Sequence, residues 1–427
     1  MRAPFPGIGG SPGTRLALLA VFSAKGLAGC ASAPTRSEAE PAPPMAEESE
    51  TGLAIASRPE EPAREARVER MVVRSARDIP AAIPDPGAFR IHLIDLAMGL
   101  SVLIEGADFV LLYDGGSADD RRRIRGNENH NRLLAYLGSA IGVSSDGSCV
   151  PSSLRGSPTR QGRAIDHLIL SHPHQDHTNL LDEAVRCYPV RNVWDVGVVS
   201  HSLFYERFVA SVASRADTRY RTAVAPPEDR RLRIRGRTLH VDEAFRWEQF
   251  QSGTEVELGA SARLRVLHAD PERYDDFNRN SLVLRLDLGS VSVLLTGDAE
   301  TGGVEDVLLA EHTDAIDVDV LVVGDHGGRR SNAPAFLHAV SPTWALLGAG
   351  PHRYGRITYP HPRTVEAVLA ALAEAPHSLP AQQRLLRTDA HDDRCPESDP
   401  VGGPGGGAGG CDNYILEITS AEPEPTR

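Results

Sequence analysis

The sequence has few aromatic side chains, 5% of 427 residues, so aliphatic residues must supply most of its core. It contains no apolar run approaching the roughly 20 residues that a transmembrane helix needs. It also lacks an excess of positive charge, since 45 Lys and Arg against 58 Asp and Glu give a net charge of −13. Such a chain gains no overall attraction to nucleic acid or anionic membrane, although local basic clusters can still bind a polyanion.

The first 30 residues resemble a lipoprotein-type signal peptide. Arg2 and Arg15 make the start of the chain weakly basic. Residues 16–22 then form a short apolar run, and a Leu-Ala-Gly-Cys segment ends at Cys30. We expect lipidation of Cys30, which would export the protein and anchor it to a bacterial membrane on the periplasmic or cell-surface side. The alternative is a start codon placed too far upstream and a chance match. No protein partner is predicted.

Residues 31–85 are rich in Ala, Glu, Pro and Arg without a sustained apolar period, and we predict a disordered tether. One ordered domain is expected over 86–420, followed by a tail at 421–427. Cysteine is scarce, with four residues beyond Cys30. Four cysteines allow three pairings, and four free thiols are an equal alternative. The four are Cys149, Cys187, Cys395 and Cys411.

Strand and helix patterns alternate through two halves of the expected domain. Strands are predicted at 89–96, 101–105, 108–113, 165–170 and 190–196, and a second β-rich half begins near residue 255. A helix is predicted at about 362–374 and a final strand at 413–419. This alternation indicates an α/β sandwich.

Metal-ligand residues cluster directly after the strand at 165–170. The stretch Ser171-His-Pro-His-Gln-Asp-His177, the histidine cassette, offers His172, His174, Asp176 and His177. Imidazole and carboxylate suit zinc, and also manganese. His172 and His174 are two residues apart and can share one ion, while Asp176 and His177 would serve a second. The alternative, a polar loop rich in histidine by chance, is disfavoured by the spacing.

Two later strand ends offer further ligands. Asp298 ends a Thr-Gly-Asp segment after the strand near 291–295, where a charged carboxylate is costly unless paired or coordinated. Its alternative role is to cap the next helix. His326 follows another apolar strand, within Gly324-Asp-His-Gly-Gly328, and Asp325 is a substitute or supporting group. We expect Asp298 to bridge two ions and His326 to be a terminal ligand.

The order of these motifs resembles the metallo-β-lactamase superfamily, and most of all the hydrolase domain of ComEC, a bacterial DNA-uptake channel protein. Matching segments include Asn280-Ser-Leu-Val-Leu, Tyr359-Pro-His-Pro and Leu386-Arg-Thr-Asp. The resemblance implies a four-layer αββα sandwich and hydrolysis, with a phosphodiester as the expected substrate. Departures include Asp325 and Gly328 in the family's His-His-Gly-Ser box.

Two residues are candidate substrate contacts, each with a structural alternative. Asn280 precedes a strand and is either a phosphate contact or a turn residue. His361 is either a general acid or a histidine at the start of a helix. The candidates for a third ligand of the first ion are His201, His240 and His268. His268, which follows a strand, is the best of the three, but its alternative as an ordinary loop histidine is preferred. Of the arginine clusters, Arg329 and Arg330 alone adjoin a predicted ligand.

The expected activity is metal-dependent hydrolysis by a water that two divalent ions, zinc first, activate. Asp176 and Asp298 are the predicted catalytic residues, because their carboxylates would hold and orient that water. The expected substrate is a nucleic-acid-like or nucleotide-like phosphodiester. An ester, lactone or thioester hydrolase on the same ions is one alternative. A surface lipoprotein with a degraded site, acting as a binding module, is the other.

Overall fold

The computed structural model describes residues 66–118, 132–143, 162–242, 245–350, 357–390 and 412–419, and the backbone of 353–354. Its strands are β1 (Arg67–Val73), β2 (Phe89–Leu93), β3 (Val102–Glu105), β4 (Val110–Tyr113), β5 (Ile165–Leu170), β6 (Val190–Asp195), β7 (Arg219–Thr222), β8 (Arg231–Ile234), β9 (Arg237–His240), β10 (Arg246–Gln249), β11 (Glu255–Gly259), β12 (Ala262–His268), β13 (Val283–Leu288), β14 (Val291–Leu295), β15 (Val320–Val322), β16 (Trp344–Leu347), β17 (Arg353–Tyr354), β18 (Ile357–Thr358), β19 (Leu385–Arg387) and β20 (Asn413–Thr419).

Its helices fall in two groups along the chain, the first between β4 and β7 and the second between β14 and β19. They are α1 (Arg132–Ala140), α2 (Gln175–Thr178), α3 (Leu181–Cys187), α4 (Leu203–Ala213), α5 (Val304–Glu311), α6 (Thr313–Ile316), α7 (Pro334–Val340), α8 (Pro362–Glu374) and α9 (Ala381–Arg384). The bounds of α8 match the prediction, because Pro362 fits the first helical turn and His361 caps it by accepting a bond from the Arg363 amide.

Two large sheets contain all of the described strands except two pairs, β8-β9 and β17-β18, which form two-stranded sheets of their own. The first runs β1-β20-β2-β3-β4-β5-β6-β7-β10, and the second runs β11-β12-β13-β14-β15-β16-β19. Strands β4 to β7 are parallel, as are β14, β15, β16 and β19. Parallel strands are buried on both faces, which explains their continuous apolar runs.

Three apolar cores separate four layers. Side chains such as Ile91 and Leu284 fill the space between the sheets. Leu168 of the first sheet packs with Phe208 of α4 in the second core, and Leu321 of the other sheet packs with Leu372 of α8 in the third. Helices therefore cover the outer face of each sheet, and the predicted four-layer αββα sandwich is confirmed.

Strand β1 lies inside the segment that the sequence predicts to be a tether. Within the described residues, the predicted tether therefore contains a strand. The cause is an antiparallel pairing with β20 over its whole length, from Arg67 opposite Thr419 to Val73 opposite Asn413. Residues 1–65, with the predicted signal peptide and Cys30, lie outside the described residues, as does the tail at 421–427.

Cys187 at the end of α3 is disulfide-bonded. This favours the disulfide alternative for that residue, while Cys149, Cys395 and Cys411 lie outside the described residues. Within the described part of the chain, no helix has the length and apolar character needed to cross a membrane.

Candidate metal centre

The predicted ligands follow strands whose carboxyl ends meet at one edge of the sandwich. The histidine cassette follows β5, while Asp298 and His326 follow β14 and β15 of the other sheet. Such edges are where α/β proteins bind ligands, because loops from neighbouring parallel strands converge there. The sequence prediction that these segments meet is therefore reproduced by the topology.

One group of side chains joins the start of the cassette to the second sheet. His172 Nε2 lies 3.0 Å from His174 Nδ1 and 3.6 Å from Asp298 Oδ2. Asp298 is buried, and the Ser281 hydroxyl accepts a hydrogen bond from its amide. Its Oδ1 atom is buried without a hydrogen-bond partner. A buried carboxylate oxygen in this state is costly unless a cation compensates it.

A second group joins the end of the cassette to His326. His177 Nε2 lies 3.1 Å from Asp298 Oδ1 and 3.2 Å from His326 Nε2. His326 Nε2 is also 3.5 Å from Asp176 Oδ2. Asp298 therefore lies between the two groups, as expected of a bridging carboxylate.

Two acceptors outside the predicted set orient the imidazoles. His177 Nδ1 lies 2.8 Å from Asp114 Oδ2, and His326 Nδ1 lies 2.8 Å from the Gly348 carbonyl oxygen. Nδ1 donates in each case, which leaves Nε2 free for a metal. Sequence reasoning missed Asp114, although an acidic residue at the end of β4 is the same signal that identified Asp298.

The charges of the cluster also suit cation binding. Burial, followed by the charges of His177 and His174, lowers the pKa of His172 well below its ordinary value, so this imidazole is neutral. Burial alone would raise the pKa of Asp298, but the charges of His177 and His326 outweigh it and hold the pKa low. A neutral imidazole and an ionised carboxylate are the forms that bind metals. Burial alone would lower the pKa of His177 and of His326, but the charge of Asp298 outweighs it and raises both, the latter to about 9, so a cation would have to displace a proton from each of these rings.

The described residues contain two groups of potential ligand atoms, each spanning less than 4.8 Å: His172, His177 and Asp298, and Asp176, His177 and His326. Imidazole nitrogens and carboxylate oxygens at these separations fit a divalent transition metal. The unpartnered oxygen of Asp298 supports the same conclusion. The residues present therefore fit divalent metal binding.

Asp325 and Gly328, the two residues at which the Gly324–Gly328 loop departs from the resembling family, are close together in space. Asp325 is buried, and a Cβ built on Gly328 would lie 1.8 Å from its Oδ2 atom. Burial, followed by the charge of Asp298, raises the pKa of Asp325 to about 8. An aspartate in this orientation thus requires glycine three residues later, which accounts for Gly328 where the resembling family has serine.

The candidate substrate contacts have other partners in the structure. Asn280 donates from Nδ2 to the carbonyl oxygens of Asp270 and Glu272, at 2.9 and 2.6 Å. This arrangement favours its turn alternative, although its Oδ1 atom is buried without a hydrogen-bond partner. His361 caps α8, and its amide donates to Gly327 of the metal-site loop at 2.8 Å.

The candidates for a third ligand and for an arginine contact lie outside these two groups. His268 donates from Nδ1 to the Ser281 carbonyl oxygen at 2.8 Å, and His201 and His240 are exposed. Arg330 is paired with Glu300 at 2.8 Å and with Asp276 at 3.4 Å. Arg329 is exposed and stays a candidate substrate contact.

Comparison with known proteins adds two curated relatives. The sequence is 26% identical over 310 residues to competence protein ComA of Neisseria gonorrhoeae, covering 73% of this chain and 32% of that protein. It is 25% identical over 227 residues to ComE operon protein 3 of Bacillus subtilis (strain 168), covering 53% of this chain and 24% of that protein. The chain thus spans about a quarter to a third of the length of these relatives. No family model matches the sequence.

Among solved structures, the metallo-β-lactamase fold protein YhfI from Bacillus subtilis aligns over 68% of this chain and 95% of that chain. The TM-score is 0.34 and the identity 14%. The fold assignment rests on the two sheets and their covering helices, since so low a score adds nothing to it. With the motif order and the curated relatives taken together, the chain is similar to ComEC-type competence proteins, and its fold is the four-layer αββα sandwich of the metallo-β-lactamase type.

Proposed function

We propose that the protein is a hydrolase that binds two divalent cations, with zinc first and manganese second. The observation that carries this proposal is the convergence of six side chains from both sheets on one buried edge of the sandwich. These residues, the six-residue cluster, are His172, His174, Asp176, His177, Asp298 and His326.

We divide the cluster into two sites as the sequence predicts, although His177 lies close to the ligands of both. His172 and His174 would hold the first cation, with nitrogen atoms 3.0 Å apart. Asp176, His177 and His326 would hold the second, and Asp298 would bridge the two. Bound divalent cations supply Lewis acidity and make a water molecule nucleophilic at neutral pH.

The chain's own groups orient the reaction. The carboxylate oxygens of Asp176 and Asp298 lie 3.5 and 3.8 Å from His326 Nε2, so they would accept hydrogen bonds from an attacking water nearby and take up its proton. Asp114 and Gly348 fix the imidazole orientations through Nδ1. Asn280 and His361 remain proposed substrate contacts, although their present partners favour structural roles.

A nucleic-acid-like or nucleotide-like phosphodiester is the proposed substrate. The similarity to a competence protein and to a ComE operon protein favours it over a carboxylic ester. The altered Gly324–Gly328 loop and the net charge of −13 favour a short or small substrate over a long polyanion.

Export and a lipid anchor on Cys30 are proposed for the chain as a whole. The disulfide-bonded Cys187 supports export, because disulfides persist in oxidising compartments. Labelling of cells with a radioactive fatty acid would test the anchor, and Cys30→Ala should abolish incorporation. Label retained in that variant would contradict lipidation at this residue.

Metal analysis of the full-length protein tests the central proposal. We expect about two zinc or manganese ions per chain, a stoichiometry lowered by His174→Ala and unchanged by the exposed control His201→Ala. The same sample should hydrolyse bis-p-nitrophenyl phosphate or single-stranded DNA faster than lactones. Faster lactone cleavage would indicate the ester alternative, and protein without metal would indicate a binding module.

A further inference from the structure

The loop that carries His326 has a strained backbone. Asp325 and His326 lie in the left-handed region, with φ of 50° and 49°. Non-glycine residues adopt this conformation at a cost in free energy, so it persists only where surrounding contacts hold it. The hydrogen bond from His326 Nδ1 to the Gly348 carbonyl oxygen fixes the imidazole ring. The left-handed backbone at Asp325 and His326 needs a separate restraint.

Asn332 supplies that restraint from the segment before α7. Its Oδ1 atom accepts a hydrogen bond from the Gly324 amide at 3.3 Å, and its Nδ2 donates to the Gly324 carbonyl oxygen at 3.0 Å. Both polar backbone groups at the start of the loop are therefore satisfied by one buried side chain. Asn332 itself is left-handed, with φ of 58°, a conformation that asparagine tolerates better than most residues.

Glu305 in the first turn of α5 holds Asn332 in turn. Its carboxylate is 1% exposed and accepts hydrogen bonds from the amides of Asn332 and Ala333, the latter at 3.2 Å. It also accepts one from the Thr301 hydroxyl at 2.8 Å. All three donors are neutral, so none of them offsets the burial of the Glu305 carboxylate with a positive charge. What these hydrogen bonds provide is a fixed position for the Asn332 segment.

The same helix is close in sequence to the bridging carboxylate. Glu305 follows Asp298 by seven residues, and the Asp325 amide donates to the Gly297 carbonyl oxygen at 3.2 Å. The Thr301 amide donates to the Arg330 carbonyl oxygen at 2.8 Å. Glu305 and Asn332 thus connect the Asp298 segment to the His326 segment, which belong to different strands.

We propose that Glu305 and Asn332 are positioning residues that set His326 Nε2 at its distance from Asp176 and His177. The inference rests on the proposed metal function. It predicts a selective effect, because the site formed by Asp176, His177 and His326 depends on this loop, whereas His172 and His174 belong to the histidine cassette. Loss of either residue should weaken the binding of one of the two cations and leave the binding of the other unchanged.

The decisive variant is Asn332→Gly, measured in the full-length protein by zinc competition with a chromophoric chelator. Glycine accepts a φ of 58° without strain, so the substitution removes only the side-chain bonds. We expect one zinc ion to bind about 10- to 100-fold more weakly, the range for residues that orient metal ligands, and the other to bind as in the wild type. Glu305→Gln should give the same selective loss, and the exposed Glu311→Gln on the same helix should give none.

Cobalt substitution identifies the site that is affected. The residual cobalt spectrum of Asn332→Gly should match that of His326→Ala rather than that of His172→Ala. Wild-type affinity at both sites, or an equal loss at both, would overturn the positioning role. If Asn332→Gly does not fold, Glu305→Gln with the same measurement decides. A wild-type protein that binds no metal would instead remove the proposed function itself.

Discussion

The Nδ1 atom of His177 lies 2.8 Å from Oδ2 of Asp114, and both side chains are fully buried. Asp114 also accepts a hydrogen bond at 2.7 Å, through Oδ1, from the Ser171 amide at the start of the histidine cassette. One carboxylate therefore fixes the backbone where the cassette begins and the ring where it ends. As a result, His177 Nε2 is directed at Asp298 and His326.

The variant Asp114→Asn should lower metal affinity while leaving the protein folded. An amide can donate to Nδ1 and thereby move the imidazole proton to Nε2, where it blocks coordination. We expect at least about a 10-fold loss in zinc affinity by chelator competition, with a parallel fall in turnover. The exposed Asp217→Asn is the matched control. Unchanged zinc affinity in Asp114→Asn would show that this hydrogen bond has no part in ligand orientation.

The part of the metal centre that the sequence predicts consists of residues that come directly after strands. The cassette, Asp298 and His326 were found because each comes directly after an apolar run, and the structure brings them together. Asp114 obeys the same rule at the end of β4, but the following Gly115-Gly116 made it resemble an ordinary turn residue. Its role depends on proximity to His177, 63 residues later, which a local pattern does not reveal.

Pairing between distant segments also explains which parts of the fold the sequence does not predict. The segment Arg67–Val73 has mixed polar and apolar residues, and it becomes a strand only because β20 lies beside it, more than 300 residues along the chain. The left-handed backbone at Asp325 and His326 was equally hidden, since neither residue type demands it. By contrast, α8 was predicted with correct bounds because its start is encoded locally by Pro362.

The close approach of Asp325 to position 328 predicts an energetic coupling. Gly328→Ala should destabilise the protein by about 1–3 kcal/mol, since its Cβ would lie 1.8 Å from Asp325 Oδ2 and force that side chain to move. Asp325→Ala removes the side-chain part of the clash and leaves the backbone oxygen of residue 325 at 2.9 Å, so the double variant should lose less stability than the sum of the two single variants. Urea unfolding of all four proteins measures the coupling, for which we expect at least about 0.5 kcal/mol. Additive effects would mean that the two departures are independent.

His167 on β5 should make stability depend on pH. Burial, followed by the charge of Arg221, lowers the pKa of His167 to about 4, and its Nδ1 accepts a hydrogen bond from Trp194 Nε1 at 3.1 Å. Because the folded pKa lies below the unfolded one, this stabilisation is complete above about pH 6.5. It is lost as pH falls from about 6.5 to about 4, and the loss at pH 4.5 is about 2–3 kcal/mol.

The test of this pH dependence compares urea unfolding at pH 7 and pH 4.5. His167→Gln keeps an acceptor for Trp194 but does not titrate, so its stability should fall by about 2–3 kcal/mol less than that of the wild type. The exposed His240→Gln should behave as the wild type. An identical fall in His167→Gln would show that other groups carry the acid sensitivity.

Removal of metal should destabilise the protein through the six-residue cluster. Without a cation, four imidazoles and two carboxylates share one buried volume, and Asp298 Oδ1 has no hydrogen-bond partner. Zinc at 100 times its dissociation constant should therefore stabilise the folded state by about 2.7 kcal/mol for each occupied site, raising the melting temperature by several degrees over that of chelator-treated protein. Asp298→Ala should bind fewer than two ions, show a smaller zinc response and have no turnover. Full activity with two ions retained in that variant would exclude Asp298 as the bridging ligand, because no cation site that depends on its carboxylate would then exist.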